Sequence, residues 1–357
     1  MKISKLFTIG ILSLVLTGTV LGCSKKVEID ESAQGKKISE YSKPKAIISA
    51  EQLKSMKDDK NKDLVVIGIL DSSKALLPGN LAGKPVEGSY TVWRPDYSGA
   101  GSKETLSEEV GGFRKSKENM EELLSKAGAT DKSTIVVYAA DAHHDAARLY
   151  WQIKLLGHVD VRVLDGGANA WAAANYPTGD SKKLVDEAKK TDYKAESYDV
   201  AKYDKTTQEV VEALKNPDEW VVIDTRSTEE YDGKKTGSSK GAFGTGRIKG
   251  AVPIPWTKAV NENDTTFKSM EELKAIYGDT IKDKKVIIFC QSGVRSAHSS
   301  LVLKDLLGAK EVYNYDGSWI EWSYAASEAS NDKVSKEIKD SVLSLTEVWS
   351  DNKGAIK

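Results

Sequence analysis

Short runs that are apolar at every position, such as Val65-Val66-Ile67 and Val286-Ile287-Ile288-Phe289, predict strands buried on both faces. They alternate with stretches of helical periodicity, Thr207 to Leu214 and Ser296 to Leu307 among them. That alternation predicts an α/β fold, a mostly parallel sheet flanked by helices. The pattern occurs twice. Ile135 to Trp171 aligns without a gap on Val286 to Trp322 at a constant offset of 151. Tyr138 then meets Phe289, Leu155-Leu156-Gly157 meets Leu306-Leu307-Gly308, Asp165-Gly166 meets Asp316-Gly317, and Trp171 meets Trp322. Earlier in each half an apolar strand runs into an aspartate, Leu64 to Leu70 before Asp71 and Trp220 to Ile223 before Asp224. The chain is therefore expected to hold two homologous domains.

A length of 357 residues suits two domains, each with its own core. Fifty-two basic and 53 acidic residues leave a net charge of -1, interspersed along the chain, which gives no field for nucleic acid. The first residues differ in kind. Lys2 and Lys5 precede an apolar stretch from Leu6 to Val20, too short to span a bilayer comfortably, which reads as a secretory signal. It ends Val20-Leu21-Gly22-Cys23, which resembles the lipobox of bacterial lipoproteins. That resemblance implies cleavage before Cys23, a lipid on its sulfur, and a protein held on the extracytoplasmic side of the cell membrane. The expected organisation is a signal peptide (1–22), a solvated lipidated tether (23–45), a first domain (46–178), a charged linker (179–204), a second domain (205–330) and a helical C-terminal extension (331–357). The extension carries Val334, Ile338, Val342, Leu343, Leu345 and Val348 at roughly helical spacing and is expected to pack on a domain.

With Cys23 consumed by lipid, Cys290 is the only thiol left, and no intramolecular disulfide can form. Cys290 ends a buried strand and is followed by Gln291-Ser292-Gly293-Val294-Arg295 before the next helix. Open α/β sheets place ligands at that edge. A glycine-containing strand-to-helix loop can turn successive N–H groups inward, while the helix adds its positive end. Those donors and the Arg295 guanidinium should favour thiolate over thiol, making a nucleophile at neutral pH.

The segment VIIFCQSGVRSA resembles the active-site loop of rhodaneses, Cys-x-x-Gly-x-Arg followed by Ser or Thr, with Cys290, Gly293, Arg295 and Ser296 in register. Asp224-Thr225-Arg226 with Glu230-Tyr231, Gly250-Ala251-Val252-Pro253-Ile254-Pro255, and Tyr315-Asp316-Gly317-Ser318-Trp319 also match, in the family's order. One departure is Arg247, where a histidine is usual. The resemblance, strong over Val200 to Ala326 and weak over Ala46 to Pro177, implies two rhodanese-like domains and transfer of sulfur through a persulfide on Cys290. A small anionic donor such as thiosulfate would load the cysteine, and cyanide, a thiol or a partner protein would unload it, with no metal or organic cofactor. Gln291, Ser292, Gly293 and Val294 would line the bound sulfur; Arg295, Arg226 and, more weakly, Arg247 would grip the donor. Asp224 and Glu230 are assigned structural support.

In the first domain the offset of 151 puts Ala139 at Cys290, Ala142 at Gly293 and His144 at Arg295, so it is expected to be non-catalytic. Adjacent residues diverge in direction, so His143-His144 does not make a metal site. Trp93 and Arg94 are candidates for shaping the cleft from this side. Three alternatives remain. A cysteine phosphatase requires five residues between Cys and Arg, whereas Cys290 and Arg295 have four. A mercaptopyruvate-specific loop carries residues other than Gln291 and Arg295. A binding module would use Cys290 only for a mixed disulfide.

Overall fold

The computed structural model describes residues 30–70, 84–102, 105–108, 110–140, 143–179, 182–183, 191–235 and 242–351. Cys23, its leader and Ala142 lie outside the described residues. Among the described residues no helix is long and apolar enough to cross a membrane.

The first half contains β1 (Ile47–Ile48), β2 (Leu64–Ile69), β3 (Tyr90–Val92), β4 (Ser98–Ala100), β5 (Gly111–Arg114), β6 (Thr134–Ala139), β7 (Val161–Leu164) and β8 (Lys182–Lys183). Six of these form a parallel sheet in the order β1-β7-β6-β2-β3-β8, and β4 and β5 form a separate antiparallel ribbon. In the second half, β9 (Trp220–Asp224), β11 (Val252–Pro253), β12 (Lys285–Phe289) and β13 (Val312–Asn314) make a parallel sheet in the order β11-β9-β12-β13. Its ribbon pairs β10 (Gly244–Ile248) with β14 (Thr346–Asp351). Strands β6 and β12 are central and buried nearly end to end, as uninterrupted apolar runs require.

The halves dock through two helices, His143–Leu155 and Val294–Leu301, each following a central strand. Trp151, Leu155 and Ala297 are buried together between them, and a larger apolar cluster runs on from Ile67 and Ile135 of one half to Ile288 and Val302 of the other. The core therefore crosses the boundary between the halves.

Two terminal segments depart from expectation. Residues 30–45 are not a free tether. Ala33–Ser39 is a helix capped by Ser32, Ile38 and Tyr41 are buried, and Lys37 donates to Asp165 of the first half (2.8 Å) and to the Phe267 carbonyl of the second (2.8 Å). The C-terminal extension is helical only over Lys336–Ser344. Beyond it β14 lies antiparallel to β10, with Trp349 edge-on to Trp319.

Candidate active site

Strand β12 delivers Cys290 to the C-terminal edge of its sheet, where Gly293 turns the chain into the helix Val294–Leu301. Gly293 has φ +74°, a conformation open to glycine at no steric cost. A Cβ there would fall 2.6 Å from Asp316 Oδ1 and 2.9 Å from Arg148 Nη1. The helix begins two residues earlier than its apolar periodicity indicates, so Arg295 and Ser296 lie in its first turn, beside the sulfur.

Cys290 is buried, 1% exposed. Burial pushes its thiol up, but the Arg295 guanidinium, the Ser296 hydroxyl, and the backbone N–H groups of Ser296 and Ser292 outweigh that and hold it below its ordinary value. Ser296 Oγ lies 3.6 Å from the sulfur. The cradle is thus narrower than a ring of all loop amides. The N–H groups of Cys290 and Gly293 donate instead to Ser318 Oγ (3.2 and 2.9 Å), which in turn donates to the Tyr315 carbonyl (2.7 Å). Ser318, at φ +50°, is held in left-handed backbone at the point where it fastens the loop.

Arg295 does not stand free. Its Nη1 and Nη2 donate to Glu230 at 2.7 and 2.8 Å, a bidentate pair with a buried carboxylate. Glu230 also accepts from the N–H of Ser227, the residue that caps the helix Thr228–Tyr231, so the two form a capping box. Burial raises its carboxyl, but Arg295, then the Ser227 N–H and Arg226, bring it down to about 2. Glu230 therefore fixes the cation that acts on Cys290.

Arg226 takes a different place from the expected one. Its Nε and Nη2 donate to Asp224 (3.0 and 2.7 Å), Nη2 also donates to the Gly246 carbonyl (3.0 Å), and its guanidinium carbon lies 4.4 Å from the centre of the Trp319 ring. With both partners of the pair 1% exposed, it binds β9, β10 and Trp319 together. Arg247 sits on β10, paired with Glu347 of β14 at 3.0 Å. The departure from histidine at this position thus supplies a tie to the C-terminal strand.

Gln291 and Ser292 lie in the loop and Val294 opens the helix, Gln291 and Val294 buried and Ser292 half-buried. The Ser292 N–H points at the sulfur, while the buried Gln291 amide has no partner on either atom among the described residues. From the first half, Arg94 pairs with Asp145 of its own half (2.8 Å) and stacks near Trp93. Gly112, Arg114 and Arg148 reach the Cys290 loop and its supports instead. Sequence alone offered one signal for Arg148, a basic residue in the otherwise apolar run Ala146 to Trp151. His143 is buried, accepts from the Gly166 N–H (2.7 Å), and stacks on Phe267.

A family model, the rhodanese-like domain, matches residues 49–174 and 206–325. A candidate thiosulfate sulfurtransferase of Saccharopolyspora erythraea is 40% identical over 215 residues, 58% of this chain and 73% of the relative. The sulfur carrier protein TtuD of Thermus thermophilus is 37% identical over 215 residues, 58% and 74% of the two chains. Among solved structures, Tum1 of Saccharomyces cerevisiae superposes with a TM-score of 0.66 at 19% identity, over 81% of this chain and 97% of its own. The anaerobic ergothioneine biosynthesis enzyme of Chlorobium limicola gives 0.66 at 22%, over 79% and 69%. These structural matches speak to the fold. With the rhodanese-like model matching both halves, over more than half of its length, this chain belongs to the rhodanese family as a tandem of two such domains.

Proposed function

We propose that the protein is a sulfurtransferase in which Cys290 carries sulfane sulfur from thiosulfate or a polysulfide to cyanide, a thiol or a partner protein. The observation that carries this is the convergence of Arg295, the Ser296 hydroxyl and the Ser292 and Ser296 N–H groups on one sulfur. In the first half-reaction the Cys290 thiolate attacks the outer sulfur of thiosulfate, the S–S bond breaks, and sulfite leaves with the electron pair. The persulfide left behind bears its charge on the terminal sulfur, among donors already oriented to receive it. In the second, the acceptor attacks that terminal sulfur and Cys290 leaves as thiolate, so cyanide departs as thiocyanate. The names of the sequence relatives, a candidate thiosulfate sulfurtransferase and a sulfur carrier, support the same class of chemistry.

The test is intact mass after incubation with thiosulfate. A gain of about 32 Da, reversed by cyanide and absent in Cys290→Ser, is expected of a persulfide. No gain from thiosulfate, mercaptopyruvate or polysulfide would transfer the assignment to a ligand-binding module. The proposal extends to location: the Val20-Leu21-Gly22-Cys23 sequence behind a basic and then apolar leader supports lipid anchoring at Cys23. Labelled fatty acid should enter the full-length protein and not its Cys23→Ser variant.

A further inference from the structure

The half without a nucleophile touches the catalytic loop at two points. Gly112, on β5, lies against Ser292 so closely that a Cβ on it would stand 2.9 Å from the Ser292 Cβ, and its φ of +96° suits glycine. Arg148, on the helix His143–Leu155, is 0% exposed. Its Nη2 donates to the Gly112 carbonyl (3.1 Å) and its Nη1 to the Gly293 carbonyl (3.4 Å). One guanidinium therefore bridges the backbone of β5 to the backbone of the loop that holds Cys290.

Its charge is anchored independently. Arg148 Nη1 lies 2.5 Å from Asp316 Oδ1, and Asp316 Oδ2 accepts from the Arg114 N–H at 2.9 Å. Arg114 Nη1 pairs in turn with Asp204 at 2.8 Å. Asp316 lies two residues before Ser318, the side chain that holds the N–H groups of Cys290 and Gly293. The loop is thus held from within by Ser318 and from without by Gly112 and Arg148.

We infer that Arg148 and Gly112 are positioning residues for the Cys290 loop, so that the active centre is completed by the half that has no cysteine. The inference rests on the sulfur-transfer reading of Cys290. Arg148 is closed off from solvent and acts through Gly293 and Asp316, not on the donor. If the bridge is loosened, the Ser292 and Ser296 N–H groups no longer converge on the sulfur, and the thiolate loses the donors that oppose its burial.

The test is the pH dependence of Cys290 alkylation by iodoacetamide, measured beside sulfur loading in the full chain, for Arg148→Lys and Gly112→Ala. Lysine keeps the charge beside Asp316 but cannot bridge two carbonyls as a planar fork does. Gly112→Ala perturbs Ser292 with no change of charge. Both are expected to raise the alkylation midpoint by about one pH unit, up to a tenfold loss of thiolate at neutral pH. Both should lower kcat for sulfur loading about tenfold, with KM for thiosulfate changed less than about twofold, because neither residue meets the donor. Should Arg148→Lys fail to fold, Gly112→Ala carries the same comparison. Variants that lose melting temperature but keep the wild-type alkylation midpoint and kcat would overturn the inference and leave both residues a purely structural role. Alkylation requires no sulfur donor, so a wild-type protein that loads no sulfur would sink the sulfur-transfer reading separately.

Discussion

Glu230→Gln separates charge from shape at the active site. The amide keeps an oxygen for the Ser227 N–H, so the helix cap survives, but the bidentate pair with Arg295 loses its ionic component. Held at about 2 against an ordinary 4.5, the carboxylate contributes roughly 3 kcal/mol to folding at neutral pH. The Arg295 side chain is 21% exposed, and solvent screening there reduces the figure to about 2 kcal/mol.

The sign follows from the depressed value. Glu230 in the unfolded chain takes up its proton near 4.5, and in the folded protein near 2. Its stabilisation is therefore complete above the unfolded value and is lost as pH falls through the folded one. Urea unfolding of wild type and Glu230→Gln at pH 7, 4.5 and 2.5 measures this directly. The variant should be about 2 kcal/mol less stable at pH 7, and the gap should narrow below pH 4.5 and shrink to about a quarter at pH 2.5. A gap of the same size at every pH would refute the electrostatic account and place the cost in packing around the cap.

His298 is buried at the interface with no hydrogen-bond partner for either ring nitrogen among the described residues, stacked on Phe267 and packed near His143. Burial, with the neighbouring His143 and His144, lowers its pKa, and burial brings His143 to about 4. Folded values below the unfolded ones mean stability is lost as pH falls from about 6.5 towards 4, so His298→Phe should flatten that slope in thermal melts; an unaltered slope would locate it elsewhere. The Gln291 amide is buried with no partner among the described residues, and an amide left unpaired on folding costs roughly 1 to 3 kcal/mol. Gln291→Met should melt higher and load sulfur several-fold more slowly, whereas undiminished loading would remove Gln291 from the donor's contacts. Gly293→Ala, placed between Asp316 and Arg148, should cost at least about 2 kcal/mol in urea unfolding. Melting like wild type would show that the loop can shift at little cost.

What the sequence made legible was local. The run Val286 to Phe289, the cysteine, and a glycine three residues on predict a strand, a turn and a helix start, because each signal acts within a few residues. Partners distant along the chain were not legible. Arg226 reads as a free cation beside a site, yet it folds back on Asp224 two residues earlier, and only the geometry shows the pair closed. The segment from Thr346 has spacing compatible with a helix, but β10, about a hundred residues earlier, offers it a strand partner, and tertiary pairing overrides the local pattern. Likewise the polar composition of residues 30–45 reads as a tether because nothing nearby announces Asp165 and Phe267 as docking points for Lys37.

The internal repeat accounts for what the first half keeps and what it lacks. Asp165 and Asp316 are equivalent at the offset of 151, and each accepts a backbone N–H from the opposite half, Phe267 at 2.8 Å and Arg114 at 2.9 Å. The aspartate that closes each half against the other is thus present twice, while the nucleophile, its glycine turn and its arginine are present once. Around Asp165 the remaining carboxylate oxygen accepts from Gln34 and Lys37 of the N-terminal helix, Lys37 being the cation; around Asp316 the corresponding cation is Arg148, from the neighbouring half. A lysine meets one or two oxygens as a point charge, whereas an arginine can hold a carboxylate and two carbonyls in one plane. The more demanding cation therefore stands on the side where the loop carries Cys290, and it comes from the half that has Ala139 at the equivalent position.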